Sequence, residues 1–464
     1  MIRLFKHYIS RAVLLLGMLD FALLMVSAEL GWHLRNVQIG SAITPIDERL
    51  LQLASYAAAV QCAIVAVGCY RGDTLQSIRY GVARLLVAMS LAMILIPAMF
   101  FFAPALTLWR SSTVYAVIIS FLLLSLVRVL FGGLFGGDAF KRRVLVLGAG
   151  ARARRIGQLA ERPGASFIVV GHVDMGECER VVETAIPRSE IEDLTSFVRQ
   201  LNAGEVVLSL QERRNQMPVA DLLKIRTAGV YVNEVSTFLE RETGRVDLRS
   251  VNPSWLIFSD GFSSGRRISA FAKRLFDVTV SLVLLLLAAP LIALGALAVR
   301  LDSKGPAFFR QTRVGLYGRT FEIVKLRSMR TDAEVAGKAV WAEKNDPRIT
   351  RVGQIIRKLR IDELPQAWMV LKGEMSFVGP RPERPQFVDE LAQQMPFYAE
   401  RHVVKPGITG WAQINYPYGA SIDDARHKLE YDLYYAKNYT PFLDLLIILQ
   451  TVRVLLWPET EGAR

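Results

Sequence analysis

Four apolar stretches of transmembrane length open this chain, running roughly Ala12–Trp32, Leu51–Tyr70, Leu85–Ala105 and Thr113–Phe131. A helix needs about 20 apolar residues to cross a bilayer. A chain in hydrocarbon must satisfy its backbone internally, so each stretch is predicted to be a helix. Residues 1–135 are therefore expected to form a four-helix transmembrane bundle. The flanks orient it. Arg3, Lys6 and Arg11 precede the first stretch, Arg71, Arg79 and Arg84 separate the second from the third, and Lys141, Arg142 and Arg143 follow the fourth. In the loop after the first stretch Arg35 and Arg49 are offset by Asp47 and Glu48, and the loop between the third and fourth has only Arg110. The positive-inside rule places both ends of the bundle in the cytoplasm. Asp20 and Glu29 interrupt the first stretch and no small-residue cleavage site follows it, so it reads as a retained anchor rather than a signal peptide. Gly132-Gly133 and Gly136-Gly137 make a flexible exit.

Composition agrees. Of the 464 residues 52% are hydrophobic, and the formal net charge is +13; the mean hydropathy is +0.28. Basic charge serves nucleic acid, an anionic membrane surface or phosphorylated substrates. Here the basic residues cluster at membrane flanks and in C-terminal loops, which excludes nucleic acid as the partner. Cys62, Cys69 and Cys178 are too few for a disulfide framework.

Residues 141–262 read as a Rossmann-like α/β domain. Val144–Leu147, Phe167–Gly171, Glu205–Leu210 and Val230–Asn233 are expected strands with helical stretches between them, an alternation that implies a parallel sheet. Gly148, Gly150 and Ala153 have dinucleotide-fingerprint spacing, and Asp174 falls where a ribose-binding acid would stand. Two readings stay open: a bound cofactor, or glycines that serve only the tight strand–helix turn.

A polar linker, Ser263–Arg267, leads to a different kind of apolar segment, Phe276–Val299. Arg266, Arg267, Lys273 and Arg274 precede it, and Arg300, Lys304, Arg310 and Arg313 follow. Basic clusters on both sides conflict with a spanning helix. Pro290 sits in its middle, where it removes a helix hydrogen bond. A re-entrant helix over 273–300, breaking at Pro290 and returning to the same face, resolves the conflict; a fifth span with a proline kink is the alternative. Residues 305–440 are basic and rich in Gly and Pro, and Pro441–Trp457 reads as an interfacial amphipathic helix.

The last third carries the candidate chemistry. Asp362-Glu363 directly follows the basic run Arg357-Lys358-Leu359-Arg360. A carboxylate can attack phosphorus as a nucleophile, and a neighbouring one can hold Mg²⁺, which neutralises diphosphate charge. From these residues alone an ordinary charged helix face is the favoured reading. Around them stand stiff basic loops: Val378-Gly379-Pro380-Arg381-Pro382, Lys405-Pro406-Gly407-Ile408-Thr409-Gly410, Gln311-Thr312-Arg313-Val314-Gly315 and Lys325-Leu326-Arg327-Ser328-Met329. Arginine's fork suits phosphate. Two phosphates could meet here at a bilayer surface.

With these motifs, Asp346-Pro347-Arg348-Ile349-Thr350 and Lys273-Arg274 with Asp277 and Pro290, residues of about 270–460 resemble the bacterial sugar transferases, the polyprenyl-phosphate hexose-1-phosphate transferases. The preceding segments resemble the large, exopolysaccharide-initiating members. The resemblance implies a mostly α catalytic domain over 268–464 with a re-entrant helix, facing the cytoplasm at the bacterial inner membrane. It implies that Asp362 attacks the β-phosphate of a UDP-sugar and releases UMP. Undecaprenyl phosphate then takes the phospho-sugar. Glu363 would be a Mg²⁺ ligand; Arg381, Arg313, Lys325, Arg327, Lys405 and Asp432 would line the substrate site; Lys273, Arg274, Asp277 and Pro290 would set the membrane hairpin. Smaller relatives often have Ser before the proline, where this chain has Ala289. A homodimer is an assembly the N-terminal segments would support. Among rivals, a nucleotide-sugar dehydratase or epimerase needs a Tyr-x-x-x-Lys pair, but Tyr231 is the only tyrosine in 141–262 and Val235 takes the Lys place. A non-catalytic assembly scaffold would have no need of the Asp362–Glu363 pair.

Overall fold

The computed structural model describes residues 2–4, 7–9, 11–40, 45–71, 74–75, 77–135, 141–162, 164–176, 180–210, 217–249, 251, 267–331, 348–417, 419 and 421–456. Gly136-Gly137, Cys178, most of the 263–267 linker, Asp346-Pro347 and Trp457 lie outside them. The chain divides into two compact units, Met1–Val251 and Asn252–Arg464.

In the first unit a short antiparallel hairpin, β1 (Ile2–Leu4) and β2 (His7–Ile9), precedes α1 (Arg11–Ile39). Then follow α2 (Leu50–Val67), α3 (Ile78–Phe102) and α4 (Arg110–Phe135). These match the four apolar stretches, and all four are long and apolar enough to cross a membrane. α1 packs on α2 and α4, α2 on α3, and α3 on α4. Leu15, Met18, Ile94, Leu122 and Leu126 point outward, exposed, as lipid-facing residues do. The inward face mixes large apolar residues such as Leu16, Leu24, Leu53, Ile64 and Leu85 with small and polar ones. A Cβ on Gly31 would sit 2.7 Å from the α4 backbone at Ser112 and Ala116, so glycine lets α1 and α4 close up. Buried Asp20 on α1 pairs with buried Arg128 on α4 and accepts from the Tyr70 hydroxyl at 2.7 Å. Nearer the other end of α1, Glu29 pairs with Arg49 at 2.7 Å.

The α/β part has one five-stranded sheet, built from β3 (Arg142–Leu147), β4 (Phe167–Asp174), β5 (Ile186–Pro187), β6 (Glu205–Leu208) and β7 (Tyr231–Glu234). The order is β5-β4-β3-β6-β7, with every pair parallel. The helices are α5 (Ala151–Ala160), α6 (Leu194–Gln200), α7 (Val219–Thr227) and α8 (Val235–Thr243). Central β3 is apolar on both faces, as a strand covered on both sides must be: Val144 and Val146 pack with Ile156 and Phe238, Leu145 and Leu147 with Leu194 and Ile225. Gly148, after β3, takes φ +133, which only glycine adopts readily. The Ala149 carbonyl accepts from the amides of Val181 and Val182, and the Asp174 carboxylate accepts from Gly176 N at 2.9 Å. That acid serves its own turn.

The second unit is mostly helical. α9 (Arg267–Asp302) is followed by the antiparallel hairpin β8 (Phe308–Val314) and β9 (Thr320–Leu326). Next come α10 (Arg351–Lys358), a 3-10 turn at Ile361–Glu363 and α11 (Gln366–Lys372). β10 (Ser376–Val378) pairs in parallel with β11 (Gly407–Thr409). Between and after them lie α12 (Pro385–Gln394), a 3-10 turn at Tyr398–Val403, α13 (Trp411–Asn415), α14 (Ile422–Asn438) and α15 (Pro441–Leu456). α9 is the fifth helix long and apolar enough to cross a membrane. It runs as continuous helix through Pro290, so the proline does not interrupt the helical backbone as the sequence reading expected. Both ends of α9 grip the same unit. Near the start, Lys273, Arg274 and Asp277 bond to segments 370–378. Near the end, Val299 packs with Leu326 and Ile356. α15 buries Leu443, Asp444, Ile447 and Arg453 and leaves Leu445 exposed, so its inner face belongs to the unit's core.

Candidate active site

The turn carrying Asp362 and Glu363 is made tight by its neighbour. Arg360 adopts φ +56, the left-handed region that costs an ordinary residue about 1–2 kcal/mol. It reverses the chain between α10 and the 3-10 turn and leaves the two acids just ahead of α11, where a helix N-terminus favours negative charge. The acids have different surroundings. Glu363 Oε1 accepts from Lys325 Nζ at 3.2 Å and from Arg381 Nη2 at 3.0 Å, and Arg360 stands 3.8 Å from Oε2. Burial opposes its ionisation, but Arg381, Lys325 and Arg360 together hold its carboxyl well below the usual range. Asp362 is buried, and its Oδ1 has no hydrogen-bond partner among the described residues. Burial, and then the charge of Glu363, push its carboxyl up, against the pull of Lys325, Arg360 and Arg357. A desolvated carboxylate with an unoccupied oxygen is a nucleophile without competing bonds.

Two Pro/Gly loops hold Arg381 in place. Gly379 N donates to Thr409 O and Gly407 N to Pro380 O, both at 2.9 Å. The loops touch backbone to backbone: a Cβ on Gly379 would lie 2.2 Å from Lys405 O, and one on Gly407 would lie 2.1 Å from Gly379 N. Arg313 Nη1 donates to Pro382 O at 3.1 Å and its Nη2 to Gln311 at 2.6 Å, so Arg313 braces the loop from β8.

The structure thus brings Asp362, Glu363, Lys325 and Arg381 together, with Arg313 one layer out. The other expected site residues fall elsewhere. Arg327 is buried, and its guanidinium donates to the carbonyls of Ser303 and Lys304 at 2.7 Å; it caps the end of α9. Lys405 stands with Arg274 and Lys273 near the start of α9; burial and the Arg274 charge push its ammonium down. Lys273 Nζ donates to Asp444 at 2.6 Å and to Val378 O at 3.0 Å. Arg274 donates to Val370 O and Leu371 O at 2.7 Å. Asp277 accepts from Ser376 Oγ and Phe377 N at 3.1 Å. These three side chains fasten α9 to the unit. Pro290 is exposed in mid-helix. Asp432 is buried behind the Arg381 loop and pairs with Arg401 at 2.7 Å; burial pushes its carboxyl up to about 6 against the pull of Arg401. Arg401 is the residue the sequence reading missed. Its partner lies 31 positions on, and no local pattern marks it.

Residues 268–458 match the family described as Bacterial sugar transferase, and residues 65–226 match one described as CoA-binding domain. The UDP-glucose:undecaprenyl-phosphate glucose-1-phosphate transferase of Caulobacter vibrioides is 44% identical over 186 residues, which cover 40% of this chain and 69% of that protein. The chain belongs to the bacterial sugar transferase family. Of two further relatives, the UDP-N-acetylgalactosamine-undecaprenyl-phosphate N-acetylgalactosaminephosphotransferase of Aeromonas hydrophila is 44% identical over 235 residues, 51% of this chain and 54% of that one. The undecaprenyl-phosphate glucose phosphotransferase of Komagataeibacter xylinus is 37% identical over 326 residues, 67% of this chain and 58% of that one. The chain thus spans little more than half the length of these two relatives.

Proposed function

We propose that this membrane protein moves a sugar-1-phosphate from a UDP-sugar to undecaprenyl phosphate, the first step of an exopolysaccharide or related glycan. The observation that carries the reading is the paired acid turn: Asp362 buried with a partnerless oxygen, beside Glu363 clamped by Lys325 and Arg381. In the first half-reaction an Asp362 oxygen attacks the β-phosphorus of the donor. The bond to the UMP oxygen breaks, and the phospho-sugar remains as an aspartyl phosphate. In the second, an oxygen of the lipid phosphate attacks that phosphorus, and the Asp362 carboxylate leaves. Lys325 and Arg381 supply fixed positive charge where the equatorial oxygens gather negative charge. The relatives' names for glucose and N-acetylgalactosamine donors support the substrate class.

The donor set suits Mg²⁺ in one respect: it consists of hard carboxylate oxygens. Among the described residues no group of three or more His, Cys, Asp or Glu could cage an ion. Glu363 would therefore hold Mg²⁺ jointly with diphosphate oxygens, which is this ion's habit, and the bound ion would neutralise diphosphate charge.

We read the domains as 1–135, 141–262 and 268–464, the last on the cytoplasmic face of the inner membrane. A re-entrant α9 is favoured by its anchorage. Arg274 reaches Val370, and Gly295 lies against Ile361. A straight helix would hold residues 274 and 295 about 31 Å apart, whereas residues 361–370, a 3-10 turn running into the start of α11, span roughly half of that. A kink at Pro290 within the continuous helix would close the gap.

The test is an assay of the purified full-length protein in nanodiscs with undecaprenyl phosphate and UDP-glucose, UDP-galactose or UDP-N-acetylgalactosamine, with Mg²⁺ or with EDTA. UMP release that requires Mg²⁺, and a radiolabelled sugar-phosphate adduct on Asp362 when the lipid is omitted, are expected. Undiminished UMP release from Asp362→Asn would remove the mechanism.

A further inference from the structure

A single buried arginine ties the Arg381 loop to the helix behind it. Arg401 sits in the 3-10 turn Tyr398–Val403 and is 5% exposed. Its Nη1 donates to the Tyr398 hydroxyl at 2.7 Å. Its Nη2 donates to Asp432 Oδ2 at 2.7 Å and to the Arg381 carbonyl at 2.9 Å. Asp432, on α14, is 2% exposed. A buried ion pair is seldom the most stable way to fill its volume. What this pair adds is a fixed donor aimed at one backbone oxygen. That oxygen belongs to the residue whose side chain reaches Glu363 at 3.0 Å. The rest of the loop is already tied: Gly379 and Pro380 to the 407–409 strand, Pro382 to Arg313, and Glu383 O to Val314 N at 2.9 Å. Arg401 holds the residue between them.

We propose that Arg401 is a positioning residue. Charged and oriented by Asp432, it fixes the Arg381 backbone and thereby aims the Arg381 guanidinium at the diphosphate of a bound UDP-sugar. The inference deepens the functional reading above and rests on its assignment of Arg381 to the nucleotide-sugar. Arg401 touches no reacting atom and acts only through Arg381.

The test uses the full-length enzyme in nanodiscs. Arg401→Lys keeps a cation beside Asp432, but a point charge does not reproduce the planar fork that serves Tyr398, Asp432 and the Arg381 carbonyl together. Expected are rises on the order of tenfold in the UDP-sugar KM and in the calorimetric Kd for UDP, the size of one charge-assisted hydrogen bond. The KM for undecaprenyl phosphate should not move. In an Arg381→Ala background, Arg401→Lys should add less than about twofold, because its effect passes through Arg381. Asp432→Asn is the second variant if Arg401→Lys folds poorly; it should shift both constants the same way. A lowered melting temperature with unchanged KM and UDP Kd, or effects that multiply in the Arg381→Ala background, would overturn the inference and leave Arg401 a packing residue. A wild type that binds UDP but releases no UMP would instead sink the functional reading, and the UDP Kd series would still decide the role of Arg401.

Discussion

The α/β sheet and the acid turn each gather carboxylates and arginines, but they balance them differently. At the start of β6, Glu205 accepts from Arg142 at 2.7 Å and from Arg241 at 2.8 Å, while Glu242 accepts from the same two arginines. Asn233 and Ser166 complete the two carboxylates at 2.7 Å. Two acids meet two cations. Around Asp362 and Glu363 stand Lys325, Arg381, Arg360 and Arg357, and one oxygen of Asp362 is left over. A balanced cluster holds a fold together. A cluster with surplus positive charge and an unpartnered carboxylate oxygen is what the proposed exchange of anions would require.

Substitutions should separate the two. Asp362→Asn is expected to lower UMP release by roughly a thousandfold or more, yet to leave the melting temperature at pH 7 unchanged or higher, since it removes a poorly solvated charge. Activity loss with a lower melting temperature would place Asp362 in the structural class. Glu205→Ala should do the reverse. It leaves two partly buried arginines to share Glu242 alone, at a cost of about 1–3 kcal/mol, visible as a lowered melting temperature with UMP release per folded molecule within about twofold of wild type. Gly407→Ala falls between them: its new Cβ would displace Gly379 N, and overpacking of that kind costs about 1–3 kcal/mol. Both stability and UDP-sugar KM should suffer, because the displaced backbone adjoins Arg381.

The smallest expected effect concerns pH. Glu363 has a depressed carboxyl, so it stabilises the fold above the ordinary glutamate value of about 4.3, a contribution lost as pH falls through its lower folded value. Asp362 has a raised carboxyl, so its contribution is present below the ordinary aspartate value of about 3.9 and is lost as pH rises through its folded value. At pH 7, therefore, Glu363→Gln should melt below wild type and Asp362→Asn at or above it. Melting curves from pH 8 to pH 4 should show the Asp362→Asn difference shrinking as the pH falls and Asp362 becomes protonated. Neighbouring acids that respond with the same sign would contradict their opposed roles.

Periodicity made much of this fold legible. The four N-terminal helices and the four main strands lie where hydropathy put them, because burial on one face or on both is written into apolar spacing. Strand Ile186–Pro187 was not readable, since two residues carry no period. The acid pair and the two Pro/Gly loops were visible as motifs. That the glycines of those loops allow backbone contact between them was not, because the contact joins positions 28 residues apart. Arg327 shows the limit of reading charge by type: beside a phosphate-suited site, a buried arginine capping two carbonyls looks the same in sequence as one awaiting a ligand. Arg401 and Asp432 were separable only in three dimensions.

The Asp20–Arg128 pair has a consequence for biogenesis. The two residues are 108 positions apart. At roughly 5–20 residues per second of synthesis, many seconds separate their emergence from the ribosome. Throughout that interval α1 carries an acid that lipid tolerates poorly, and its ion-pair partner arrives with the last of the four helices. The expected consequence is that α1 settles in the bilayer only once α4 has joined it.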